Sequence, residues 1–253
     1  MSAKIRGVIL AGGLGTRLRP LTDITNKHLL PVYDRPMIFH PLHKLAEAGI
    51  DEIMLVTGGN NAGDFLRLLG DGRQFGLRRL QYAYQKGEGG IAAALGLAED
   101  FAEGERIVVF LGDNIITAPL RPYVDRYRKQ ARGGMLLLHP VSDPKAYGVP
   151  SLRDGKIVKI VEKPRRPPSG YAVVGIYCYD AQVFRIIRTL KPSHRGELEI
   201  TDVNNAYLRR HQMTYEVLRG KWADAGESID SWFAANLTAR DERLRERNRA
   251  KAG

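Results

Sequence analysis

Hydrophobic residues in the first half of the chain fall in short unbroken runs, separated by stretches with helical spacing. The runs Ile5–Ala11, Glu52–Thr57, Leu80–Tyr84 and Arg106–Leu111 predict strands buried on both faces. Between them, the patterns near Pro36–Ala48, Ala62–Leu69 and Ile91–Phe101 predict helices. Strands alternating with helices in this order predict an α/β fold with a parallel or mostly parallel sheet covered on both faces. In such sheets ligands sit at the carboxyl ends of the strands.

The second half is less regular. Met135–Val141, Gly155–Val161, Ala172–Tyr179 and Met213–Leu218 read as strands, with little helix before Ala181. Glu199–Arg210 and Ser228–Arg247 read as helices. The proline-rich link Lys163–Gly170 predicts an exposed loop. With no internal repeat, 253 residues make one mixed α/β domain with a substrate-facing second portion.

Hydrophobic residues at 43% and charged residues at 26% are ordinary for a globular protein, and one cysteine, Cys178, excludes an internal disulfide. No apolar run approaches a membrane span or a secretory leader, so a cytoplasmic protein is expected. The net charge of +11 raises the question of nucleic acid. Residues 240–251 hold five arginines and one lysine against three acids, a run that reads as the solvated face of a helix or a frayed tail. Zinc spacing, a helix-turn-helix pattern and an aromatic-basic platform are all missing, so nucleic acid is the weaker account. Basic enzymes acting on phosphorylated substrates also attract them electrostatically.

The strongest chemical signal is Leu10-Ala-Gly-Gly-Leu-Gly-Thr-Arg-Leu18, a glycine turn directly after the first strand. Gly12, Gly13 and Gly15 carry no side chains to keep a phosphate from the backbone N–H groups, and Arg17 adds a permanently charged fork. A phosphate loop of the Walker type needs Gly-Lys and then Ser or Thr, which this segment lacks. A dinucleotide turn needs glycine where Leu18 stands, and an acid after the second strand that is also missing. The segment is read as a polyphosphate site, against the bland alternative of an ordinary tight turn.

Asp113 follows the strand ending Leu111-Gly112, and Asp224 lies in Trp222-Ala-Asp-Ala-Gly226. Magnesium takes oxygen ligands, often one or two carboxylates completed by substrate phosphates. Taken singly, each aspartate fits a helix cap better; beside a phosphate loop the metal reading gains. Lys27, just before Leu29-Leu-Pro31, is placed to present its charge to a phosphate. Lys163 in Val161-Glu-Lys-Pro164 is similar, with Glu162 able to accept from sugar hydroxyls. Tyr147-Gly148 and Gly196–Asp202 add polar groups, the latter equally readable as an acidic helix entrance.

These segments, with Asp34-Arg-Pro-Met37, Leu69-Gly-Asp-Gly72, Tyr171-Ala-Val-Val-Gly175, Leu190-Lys-Pro192 and Arg195–Asp202, run collinearly over residues 5–226. In this order the chain resembles the sugar-nucleotide pyrophosphorylases, and among them the short form of the branch that joins dTTP to glucose 1-phosphate. The resemblance implies a Rossmann-like, three-layer α/β/α fold with a mixed, mostly parallel sheet, of the glycosyltransferase-A type. It implies a nucleotide-binding portion at 1–113, a sugar-phosphate portion at 114–227, and a C-terminal helix with basic tail at 228–253.

The implied reaction is attack by the sugar phosphate on the α-phosphorus of the triphosphate, expelling pyrophosphate, which needs positioning and charge neutralisation. By resemblance, Leu10, Ala11, Gly12, Gly13, Gly15, Thr16, Gln85, Gly90 and Asp113 bind the nucleotide, with Leu10, Gln85 and Gly90 reading the pyrimidine. Arg17, Lys27, Asp113 and Lys163 are the implied catalytic groups, and Asp113 and Asp224 the implied Mg2+ ligands. Tyr147, Gly148, Glu162, Lys163, Val174 and Glu197 are implied to line the sugar. The expected partners are dTTP and glucose 1-phosphate, with a homodimer or homotetramer. The alternative keeps the chemistry with UTP or another triphosphate, or a modified or amino sugar. Ala93 stands where relatives often have glutamine, beside the flexible run Lys86–Gly90. His28 and Arg19 also differ from the best-known members.

Overall fold

In the computed structural model, which describes residues 4–252, the predicted strands assemble around one central sheet. The chain runs β1 (Ile5–Ala11), short β2 (Pro31–Val32) and β3 (Arg35–Pro36), α1 (Phe39–Glu47), β4 (Glu52–Gly58), α2 (Ala62–Leu69), β5 (Arg79–Gln85), α3 (Ile91–Gly96), α4 (Glu99–Ala102) and β6 (Arg106–Leu111). It continues through β7 (Asn114–Ile116), α5 (Arg121–Lys129), β8 (Gly134–Pro140), β9 (Gly148–Arg153), β10 (Lys156–Glu162), β11 (Tyr171–Tyr179), α6 (Gln182–Ile187), α7 (Ile200–Arg209), β12 (Met213–Val217), β13 (Trp222–Asp224) and α8 (Ile229–Ala252).

Seven strands pair in the order β12-β8-β11-β6-β1-β4-β5. β11 is antiparallel to both β6 and β8, and every other neighbouring pair is parallel. The sheet is therefore mixed and mostly parallel. Alternation along the strands sends side chains to two faces. Ile9, Leu55, Phe110 and Ile176 meet residues of α1, α2 and α5 on one face. Val8, Val56, Val109 and Tyr177 meet α3, α4, α6 and α7 on the other. Three layers result, with apolar burial on both faces supplying the main stabilisation.

Strand order turns around at β1: β4 and β5 lie on one side of it and β6 on the other. The glycine turn follows β1 and Asp113 follows β6, so both open into the crevice at this switch point. Gly112 N–H donates to the Leu10 carbonyl at 2.9 Å, holding the two strand exits together.

Some expectations are corrected. The helix α5 lies before Ala181; only Tyr123, Val124 and Tyr127 of its nine residues are buried, so its apolar signal was thin. The single helix expected at Ile91–Phe101 is two, broken after Gly96, a poor helix former. β10 pairs with β9 outside the main sheet. Of the two readings of the basic segment the helical one holds: α8 runs to Ala252, and along it Glu242 meets Lys44 at 2.7 Å and Arg243 meets Asp34 at 3.2 Å. The charges expected at Arg249 and Lys251 lie outside the described side chains.

One charge lies beneath the sheet. Glu52 opens β4 only 2% exposed and receives Arg6 Nε at 2.9 Å and Lys4 Nζ at 2.7 Å, with Arg78 also against it. Arg6 is itself buried and also meets Glu103 at 2.6 Å. Removing one member of a buried pair leaves the other charge uncompensated. Glu52→Ala should lower unfolding free energy by about 3–5 kcal/mol, read as a urea midpoint shift with unchanged slope.

Candidate active site

A cleft of about 320 Å3 opens at the carboxyl ends of β1 and β6. Its walls include Leu10, Gly12, Gly13, Arg17, Lys27, Gln85, Gly90, Asp113, Tyr147, Gly148, Glu162, Lys163, Glu197 and Asp224. Four expected residues are not among its lining. Ala11 is buried in the core, and Thr16 is exposed at the start of a 3-10 turn, Thr16–Leu18. Gly15 adopts φ 69° and lets the turn lie on the Lys27 stem, where a Cβ would sit 2.9 Å from Lys27 Cβ. Val174 is turned into the core by strand alternation, and its neighbours Val173 and Gly175 border the cleft instead.

The two aspartates, 111 residues apart in sequence, are joined by the pairing of β7 with β13. Asp224 is registered opposite Asn114, and Ala225 N–H donates to the Asp113 carbonyl at 2.9 Å. Neither acid caps a helix: Asp224 accepts from Gly226 N–H at 2.9 Å, while Asp113 takes an ion pair from Lys27. Asn114, 2% exposed, ties the arrangement together. Its Nδ2 donates to Asp113 Oδ1 at 3.0 Å, and its Oδ1 accepts from Trp222 Nε1 at 2.7 Å and Gly175 N–H at 2.9 Å.

Burial alone would push the Asp113 carboxyl up, but the Lys27 ammonium against it holds it well below the usual carboxylate range. Asp224 has no ion pair among the described residues, and the Lys27 charge lowers it only in part. Burial, and then the neighbouring Asp113 charge, raise it to about 7. Two desolvated oxygen donors that repel one another suit a hard divalent cation, which would relieve both effects. Among the described residues no group of three or more His, Cys, Asp or Glu is set to hold a metal, so any ion here needs ligand oxygens from elsewhere.

The remainder of the cleft mixes polar groups with apolar side chains such as Ile91, Val173 and Ile200. Thr201 Oγ1 donates to Glu162 Oε2 at 2.5 Å, fixing that carboxylate. Lys163 takes φ 43°, unusual for a side chain of its length, with its N–H on the Tyr147 carbonyl at 3.0 Å. Tyr147 meets Trp222 edge-on at 5.0 Å. Gln85 Nε2 donates to the Gly90 carbonyl at 3.1 Å. Sequence reasoning passed over Asn114, Trp222, Thr201 and Glu227. Asn114 was within reach of it, being adjacent to Asp113; Glu227 had no signal, because its partner Arg17 is 210 positions away.

Fold and cleft together define a nucleotidyltransferase, and the comparisons agree: the Nucleotidyl transferase family pattern matches residues 6–242, and the chain belongs to that family. Among similar proteins are the glucose-1-phosphate thymidylyltransferases of Actinoplanes sp. SE50/110, 49% identical over 92% of this chain and 77% of that one, and of Mycolicibacterium smegmatis, 45% identical over 96% and 84%. A Bacillus anthracis crystal structure in complex with a sucrose, provisionally given the same name, matches with TM-score 0.90 and 51% identity over 94% of this chain and 96% of that one. A UDP-glucose pyrophosphorylase complexed with UDP-glucose matches with TM-score 0.80 and 25% identity over 95% and 99%.

Two predictions follow from the packing. A Cβ on Gly226 would run into the Asp113 carboxylate and lie 2.7 Å from Lys27 Nζ. Gly226→Ala should therefore cut turnover at least about 100-fold, by displacing reacting groups on the order of 1 Å, with circular dichroism unchanged. His28, 2% exposed and bonded through Nδ1 to Asn26 Oδ1 at 2.7 Å, is lowered from 6.5 to about 3 by burial and then by Lys27. Below its ordinary value the unfolded chain takes up a proton that the folded chain refuses, so stability falls with pH until the folded value is passed. Between neutral pH and about pH 5, urea titrations of His28→Gln should show about 2 kcal/mol less loss of stability than the parent.

Proposed function

We propose that this protein transfers a thymidylyl group from dTTP to glucose 1-phosphate, giving dTDP-glucose and pyrophosphate. The observation that carries the reading is the convergence of the glycine turn, Lys27, Asp113, Asp224 and Lys163 on one cleft. The close relatives carry the name of that activity.

An oxygen of the sugar phosphate forms a bond to the α-phosphorus. The bond from that phosphorus to the oxygen bridging to the β-phosphate breaks, and pyrophosphate departs with the electron pair. The turn at Gly12 and Gly13 offers backbone N–H groups to the phosphates. Arg17 neutralises the departing pyrophosphate, and Lys27 bears on the reacting phosphoryl oxygens. Lys163 holds the attacking sugar phosphate, with Glu162 and Glu197 accepting from sugar hydroxyls. Leu10, Gln85 and Gly90 read the base. Asp113 and Asp224 would hold magnesium, which supplies charge neutralisation at the α-phosphate when bound.

No covalent intermediate on the protein is needed, since positioned charge does the catalytic work. UTP is the second substrate to test, because Ala93 leaves less hydrogen-bonding capacity beside Gln85 than glutamine would, and a UDP-glucose pyrophosphorylase shares the fold.

Pyrophosphate release across a grid of triphosphates and sugar 1-phosphates tests the reading. The largest kcat/KM is expected for dTTP with glucose 1-phosphate, and a larger value for another pair would reassign the substrates. Asp224→Asn should lower kcat by about 100-fold or more with magnesium present. Full turnover in that variant would remove Asp224 from the reaction.

A further inference from the structure

Glu227 is a charged cleft residue that the reaction above does not use. It lies one position beyond Gly226, and its carboxylate forms an ion pair with the Arg17 guanidinium. The pair joins the glycine turn to the entrance of α8 across the cleft, which both residues line. Its backbone is held on both sides. Gly226 N–H is on Asp224 at 2.9 Å, while Ser228 and Ser231 exchange reciprocal bonds at 2.8 and 3.0 Å where α8 begins.

Two cations of the phosphate region are thus paired with acids: Lys27 with Asp113 and Arg17 with Glu227. Asp113 has further work as a candidate cation ligand. The Glu227 carboxylate competes with a polyphosphate for the guanidinium and repels its negative oxygens, and its charge also bears on the nearby Asp224 carboxyl. The side chains of Arg17 and Glu227 are 54% and 29% exposed, so the pair is weak enough to exchange.

Building on the role given to Arg17 above, we propose that Glu227 is an internal counter-ligand, a stand-in for phosphate that must release Arg17 before the triphosphate is fully engaged. It sets how tightly triphosphate and pyrophosphate bind, and it leaves the sugar phosphate untouched. Glu227 is a positioning residue, acting on ligands through Arg17.

The test compares steady-state kinetics of the full chain with those of Glu227→Gln, Arg17→Gln and the double variant. In Glu227→Gln, KM for dTTP and the inhibition constant for pyrophosphate should both fall about two- to five-fold, the range of an exposed ion pair. KM for glucose 1-phosphate should stay unchanged. In the Arg17→Gln background, Glu227→Gln should have no further effect on either constant, because its target is gone. A dTTP KM that is unchanged or raised by Glu227→Gln overturns the proposal, as does an equal fall in both backgrounds. If Arg17→Gln alone leaves dTTP and pyrophosphate binding intact, the role assigned to Arg17 fails instead, and that outcome is read separately. A purely structural Glu227 would lower the melting temperature without shifting the two phosphate constants, which also counts against it.

Discussion

The side chain of Asn114 is the fixture on which the cleft depends. It accepts from β11 through Gly175, accepts from β13 through Trp222 and donates to Asp113, so three segments share one carboxamide. Buried amides that satisfy several partners specify geometry more sharply than apolar packing, because any shift leaves a polar atom unpaired. The pairing of β7 with β13 sets Asp224 beside Asp113, and Asn114 fixes the distance at which that pairing settles. Without it, two desolvated acids would separate to reduce their repulsion.

Three cations of the cleft are each met by an acid. Lys27 lies against Asp113, Arg17 against Glu227, and Arg195 against Glu199 at 2.8 Å. A protein with net charge +11 could have left this region simply positive. Seven acids and four Lys or Arg side chains line it instead, and pairing opposite charges limits the cost of desolvating each group. Helix α8 accounts for only +2 of the excess, with six cations against four acids; its Arg243 meets Asp34 at 3.2 Å and its Asp241 meets Lys221 at 3.1 Å.

Much of this was readable from the residues. Apolar runs such as Ile5–Ala11 and Glu52–Gly58 are buried at every position, and this is why their pattern announced parallel strands. The glycine turn and Asp113 stood at strand ends, where the fold class alone puts ligands. Contacts between distant segments were not readable. Nothing in Gly226-Glu227 hints at Arg17, and the loss of Val174 from the cleft turns on a strand phase that a continuous apolar run hides. Helix α5 escaped because its face is narrow and its remaining positions are charged. Collinear motifs could say which residues matter together but not which face each one takes.

The separations across the cleft carry a consequence for how the molecule comes into being. Lys27 and Asp113 are 86 positions apart, Trp222 and Asn114 108, and Arg17 and Glu227 210. Contacts of such long range raise the contact order and so slow folding, although the entropy of closing each loop grows only slowly with its length. The sheet itself joins Ile5 to Arg106 across 101 positions, so the nucleotide site and the central sheet draw on the same distant parts of the chain and are completed together. Ligand affinity, followed in time, is then a clock for the completion of the sheet.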